Sequence, residues 1–282
     1  MSTPTPQALQ APKALRGISA TGYVGLVIVI GIMSTAIVSF FWTPYDPLHV
    51  DPALRLAAPS WQHLCGTDRY GRDIFSQLMV GARITLFVGV IAVAVAACFG
   101  IPLGIYAGMR RGLAEILIMR GADLFLAFPA LLMAIIASAI FGGSTLTAMI
   151  AIGIASVPAF ARVCRSATLS VMTRDFIAAS YSAGKSNMHV ALRHVVPNIM
   201  GVIIVQASIA FALAILAEAG LSFLGLGTAP PTPSWGRMLQ AAGSFLSSAP
   251  HLALAPGGAI AVSVLGFNLL GDGLRDNNDP RA

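Results

Sequence analysis

The sequence predicts an all-α, polytopic membrane protein with about six spanning helices, and three observations predict it. Of its 282 residues 56% are hydrophobic and only 10% charged, whereas soluble domains carry roughly 25% charge. Apolar runs long enough to cross a bilayer, about 20 residues in a helix, fill most of the chain. A polar island, Arg174 to Asn198, lies between two of them. Length alone suggests about two soluble domains, but these runs leave one membrane domain. The cysteines Cys65, Cys98 and Cys164 show neither a CxxC nor a His/Cys ligand spacing, so no disulfide framework or zinc site follows. Cys98, within an apolar run, is expected to be a small packed residue.

Residues 1–21 combine Pro, Thr, Gln and Ala with Lys13 and Arg16, a composition too polar to pack, and read as a flexible tail. Gly22 to Trp42 is continuously apolar and ends in Phe40-Phe41-Trp42, an aromatic interface anchor, so it reads as an uncleaved first span. Residues 43–83 are polar and proline-rich. Within them Asp73 to Arg83 reads as an amphipathic helix on the membrane surface. Asp68 and Asp73 read as cap and turn residues, too few oxygen ligands clustering there for calcium.

Ile84 to Ala107 is the second span, with Gly100, Gly104 and Gly108 on one helix face that permits close contact. Leu124 to Phe141 is the third, bent at Pro129 and preceded by Glu115, Arg120 and Asp123, charges placed to pair or to snorkel. After a Gly142-Gly143 turn, Thr145 to Ala161 returns with a bend at Pro158. Ile199 to Ala217 is the fifth span and Leu252 to Gly271 the sixth. Gln206 and Ser208 in the fifth can hydrogen-bond between helices. Glu218, just beyond it, is either an interface or helix-end residue or a group facing a translocation path, and Gln206 is the other path candidate.

The polar island itself predicts helix, turn, helix. Residues 175–183 are alanine-rich, with Asp175 where negative charge opposes the positive helix end. Gly184 permits the turn. From Ser186 the pattern resumes with Met188, Val190, Leu192 and Val195, and Pro197 is expected to end it. Gly184-Lys185-Ser186 imitates the end of a phosphate-binding loop, but Ala179 stands where that motif needs glycine and no strand precedes it. A nucleotide site is therefore not expected here. With both termini inside, twelve of the 17 Lys and Arg residues fall on the inner side and five outside, matching the positive-inside rule. The net charge of +6 is thus a matter of topology and implies no nucleic acid.

The island resembles the Glu-Ala-Ala loop of ABC importer membrane subunits, in which that tripeptide is followed by Gly and then a Leu-Pro pair. Gly184 and Pro197 keep the spacing, while Ala178 replaces the glutamate and Val196 the leucine. Together with GTDRYGRD, LAFPALLMAI, EAGLSFLGLG, PPTPSWG and NLLGDGLRDNNDPR, the chain is similar to permeases of the dipeptide/oligopeptide/nickel ABC importer family, specifically the second of two permease subunits.

The resemblance implies a type I ABC importer permease fold in a bacterial plasma membrane. It divides the chain into a cytoplasmic tail (1–21), a first span with external segment (22–83), a core permease domain (84–272) with a coupling loop (162–198), and a cytoplasmic C-terminal tail (273–282). It implies a partner permease, two ATPase subunits that use ATP and Mg, an extracytoplasmic binding protein and surrounding lipid, with no cofactor on this chain. Asp175, Ala178, Ala179, Gly184, Lys185, Ser186, Asn187, Met188 and Pro197 are the expected coupling residues. Peptides are the expected substrate, with nickel or another small solute as the alternative. A secondary transporter is the rival class, but no inverted repeat is visible. No HExxH, GxSxG or paired carboxylate within a span suggests an enzyme.

Overall fold

The structure, a computed structural model, describes residues 19–278. Most of the expected N-terminal tail, with Lys13 and Arg16, and the end of the expected C-terminal tail, with Arg281, lie outside the described residues. The elements in order are α1 (Ala20–Ser39), α2 (Ile74–Arg110), α3 (Leu113–Leu126), α4 (Ala130–Phe141), α5 (Thr145–Met172), α6 (Asp175–Ser182), α7 (Asn187–Val190), α8 (Val196–Phe223), α9 (Trp235–Ala242) and α10 (His251–Asn278). Among the described residues five helices are long and apolar enough to cross a membrane, and a sixth span follows if the bent pair α3–α4 counts as one.

The glycine face read from the sequence meets α5. A Cβ on Gly100 would lie 2.4 Å from the Phe160 Cβ, one on Gly104 2.4 Å from the Ala161 carbonyl oxygen, and one on Gly108 2.7 Å from the Thr168 Cβ. Only hydrogen fits there. In lipid, where apolar tails give helices no hydrophobic reason to associate, such close approach is what stabilises a pair. Around it α8 packs on α2 and α5, and α10 packs on α1 and α8.

Three expectations are corrected, and the bend at Pro129 is borne out. Asp73 to Arg83 is no separate surface helix but the opening of α2, whose 37 residues run unbroken to Arg110. Asp73 starts it, its Oδ2 accepting the Ser76 N–H at 2.7 Å. The third span is two helices bent by 80°. Pro129 cannot donate, and residues 123–132 are all exposed, so no neighbour holds the chain straight across it. Pro158, by contrast, is buried within a continuous α5. Pro197 does not end a helix: it lies in the first turn of α8, preceded by a π turn over Ala191–Val195 that takes up the lost donor. Cys98 is exposed, and Cys164 is the packed thiol. In addition α10 continues through Gly273 to Asn278, into the stretch expected to be a tail.

The two ends of the bundle differ. At one end residues 40–73, the connection between α1 and α2, form a cap. Arg83 donates to the Ser39 Oγ (2.6 Å) and to the Ser39 carbonyl oxygen, with its guanidinium 4.1 Å from the Phe40 ring centroid. His63 meets Asp73 at 2.9 Å. At the other end Arg165 pairs with Glu115, and Arg162 with Asp123 at 2.5 Å. The α5–α8 connection leaves from this second end.

Gly104→Leu should lower stability by about 1–3 kcal/mol, the usual cost of overpacking. Gly31→Leu, at a position with nothing within 4 Å of the added Cβ, should not. Thermal unfolding of the two detergent-purified variants checks this.

Candidate functional site: the connection between α5 and α8

α6 begins with Asp175 in its first turn and buries only Ile177 and Ser180. Its end is closed by a Schellman motif: Gly184 N–H donates to the Tyr181 carbonyl oxygen at 2.9 Å and Lys185 N–H to that of Ser180 at 3.2 Å. Gly184 has φ +74°, the left-handed region that disfavours a side chain. Nothing lies within 4 Å of where its Cβ would be, so backbone conformation and not space selects glycine here. Ser186 then caps α7, its Oγ accepting the His189 N–H at 3.3 Å. The Tyr181 hydroxyl donates to Asn187 Oδ1 at 3.0 Å and ties the two short helices together.

The underside of this unit is fixed to the bundle. Ile177, Val190 and Val195 are buried with Ile105 of α2, Cys164 of α5 and Ile199 and Ile203 of α8. Ser180 Oγ lies 3.2 Å from His194 Nε2, and Asn198 Nδ2 donates to the His194 carbonyl oxygen at 2.7 Å. The outer side is open. Asp175, Ala178, Ala179, Gly184, Lys185, Ser186, Asn187 and Met188 are all exposed on one continuous helix–turn–helix. Pro197 is exposed as well, but on α8, outside that unit. Met188 and Leu192 show 68% and 63% of their surface, large apolar groups left uncovered by the described residues.

Glu218 and Gln206 are far from this surface in the fold. Gln206 is half-buried midway along α8. Glu218, 1% exposed, lies near the opposite end of α8, where its Oε1 accepts Ser222 Oγ at 2.6 Å and Thr228 Oγ1 at 3.4 Å. The Thr228 N–H donates to Ser222 Oγ at 3.1 Å, the Thr228 carbonyl oxygen accepts Arg237 Nη1 at 3.1 Å, and Thr145 Oγ1 is 3.3 Å from Thr228 Oγ1. This cluster joins α8, the 224–234 segment, α9 and the start of α5. Sequence reasoning found Glu218 but not its partners; EAGLS does offer a signal, because Ser222 stands one helical turn after Glu218.

A family profile described as "binding-protein-dependent transport system inner membrane component" matches residues 100–282. The chain belongs to that family. Its members with curated names include a dipeptide transport system permease protein of Alkalihalophilus pseudofirmus, 44% identical over 92% of this chain and 85% of the relative. A glutathione transport system permease protein of Pectobacterium atrosepticum is 42% identical over 86% and 82%. Among solved structures, a chain of the inward-facing MetNI methionine ABC transporter superimposes with a TM-score of 0.61 at 16% identity, covering 72% of this chain and 97% of its own. That similarity establishes the fold, an ABC importer permease bundle. The family match covers α5 to α8 entirely, so the loop belongs to the shared core, whereas α1, the cap and the first part of α2 precede residue 100.

Replacing Glu218 by Ala should remove the acceptor for the surrounding hydroxyls, Ser222 and Thr228 among them, and cost about 1–3 kcal/mol, with Glu218→Gln costing clearly less because an amide oxygen can still accept. Chemical or thermal unfolding in detergent distinguishes the two.

Proposed function

We propose that this chain is one of two permease subunits of an ATP-driven importer for di- and oligopeptides, coupled to its ATPases through the α6–Gly184–α7 unit. The observation that carries the coupling reading is that one exposed helix–turn–helix is fixed from beneath to three long helices. A force applied to α6 and α7 is therefore transmitted to α2, α5 and α8 together. An amphipathic short helix laid in a groove of a partner is a common docking mode, and Met188 with Leu192 supplies the apolar contact. Peptide as the cargo is supported by the names of the relatives with the dipeptide and glutathione systems.

ATP and Mg act in the two partner ATPases, a second permease completes the path, and an extracytoplasmic protein delivers substrate. The loop end faces the cytoplasm, with both termini, and the cap over α1 and α2 faces outward, as the basic residues favour. ATP-driven closure of the ATPases shifts the spans between inward- and outward-open states. Ala178, exposed on α6, leaves the loop without the glutamate of the family pattern, so its docking relies on the apolar contact and the α6 terminus. We assign Glu218 the task of holding the 224–234 segment, since its carboxylate is occupied by Ser222 and Thr228. Gln206 remains the candidate for the path.

Gly184→Val should force a β-branched residue into the left-handed region at about 1–2 kcal/mol, whereas Gly184→Asn should be tolerated. In proteoliposomes holding the assembled transporter, peptide uptake per ATP hydrolysed should fall severalfold for the valine variant and stay near the parent for asparagine. Parental coupling with valine would rule out the lever. Orientation is checked separately: with the other cysteines replaced, Asn187→Cys should react with a membrane-impermeant maleimide in inside-out vesicles and not in right-side-out ones.

A further inference from the structure

At the end remote from the loop, a cleft of about 350 Å³ lies between the 68–72 turn and the proline-rich segment 230–233. Its floor is apolar, built from Ile74, Met238 and Leu252. Its rim sets three cations, Arg69, Arg72 and Arg237, against one acid, Asp68.

Asp68 is saturated. Its Oδ2 accepts Arg72 Nε and Nη2, each at 2.7 Å, and Gln77 Nε2 at 3.2 Å. Its Oδ1 accepts the backbone N–H of Tyr70 at 2.8 Å and of Arg72 at 3.0 Å. Arg72 is thereby neutralised, and among the described residues neither Arg69 nor Arg237 has a carboxylate within ion-pair distance. Arg237 is half-buried and gives only Nη1 to a carbonyl, that of Thr228. A guanidinium carries five N–H donors and is matched by a carboxylate better than by any single carbonyl. Arg69 is held in place over the Tyr70 ring, 4.7 Å from its centroid.

We infer that this cleft is a carboxylate-binding site and that it receives an acidic side chain of the extracytoplasmic binding protein. The inference rests on the permease reading and its orientation. The family is one of binding-protein-dependent transporters, so a protein must dock at the outer end. Two cations without an anion of their own give the cleft its charge complementarity for an acidic side chain, while Asp46 and Asp51, which also make no ion pair among the described residues, lie outside its lining. The apolar floor suits the methylene stem of a glutamate, and the flanking prolines stiffen the wall so that little ordering cost remains on binding.

The test uses the complete transporter, both permeases and both ATPases, in lipid nanodiscs, with its fluorescently labelled binding protein, at about 50 mM and about 300 mM salt. Arg69→Glu, at an exposed position, and Arg237→Gln should each weaken Kd about tenfold at low salt, with a smaller effect at high salt. A Glu→Lys or Asp→Lys reversal on the binding protein should restore Arg69→Glu. Kd within about twofold of the parent for both variants overturns the site. So does weakening with Arg237→Gln alone, which would trace to the Thr228 contact. Arg237-dependent binding of a free dipeptide but not its C-terminal amide, with no binding protein present, would give the cleft to substrate and overturn the assignment. Failure of the permease reading shows differently, as a chain that does not co-purify with an ATPase whatever stands at positions 69 and 237.

Discussion

Everything in this fold depends on how closely α2 and α5 approach. Along Gly100, Gly104 and Gly108 the two backbones are separated by no more than hydrogen and a neighbour's Cβ or carbonyl. Gly153 repeats the arrangement from the α5 side, where an added Cβ would lie 2.9 Å from the Ala92 carbonyl oxygen. In a bilayer such contact stabilises through dispersion and through lipid released from between the helices. α2 opens at Asp73 beneath the cap, and α5 leads into the α6–α7 unit. The same contact thus places the structures at both ends.

The prolines show how context decides what one residue does. Pro129 has no packed neighbours around it and breaks the chain into two helices. Pro158 is buried in α5 beside α2 and leaves that helix continuous. Pro197 is absorbed by a widened turn before it, so that α7, the π turn and α8 form one apolar rod of 37 residues, Asn187–Phe223. In each case the missing N–H and the ring clash are the same. What differs is whether surrounding side chains keep the segment in register. For the proposed coupling this matters, because a rod that starts at Asn187 links the exposed unit directly to the Glu218 cluster at its far end.

Polar groups follow a division of labour between the ends. The loop end spends its buried contacts on anchoring and leaves its outer face bare. The opposite end buries Glu218 under hydroxyls and saturates Asp68, yet leaves Arg69 and Arg237 without an acid. The buried carboxylate of Glu218 is satisfied and the unpaired guanidinium groups face outward, in keeping with the cost of an unpaired charge in a low-dielectric interior. Both open faces are therefore suited to partners.

Much was legible in the sequence because bilayer thickness and local backbone chemistry act over a few residues. Apolar length gives the spans, glycines at four-residue intervals give the tight face, and Asp175, Gly184 and Ser186 give the start, turn and restart of the α6–α7 unit. Long-range packing decided the remainder. Whether Pro129, Pro158 and Pro197 break, pass or widen a helix depends on residues far away in the chain. So does the position of Glu218, which composition places at a span end and which the fold seals behind Thr228. The Arg237 cleft, too, exists only because the 68–72 turn and the 230–233 segment meet across more than 150 residues of chain. Local pattern determines which segments form and where they turn; which polar group is satisfied, and by what, is decided only when the helices come together.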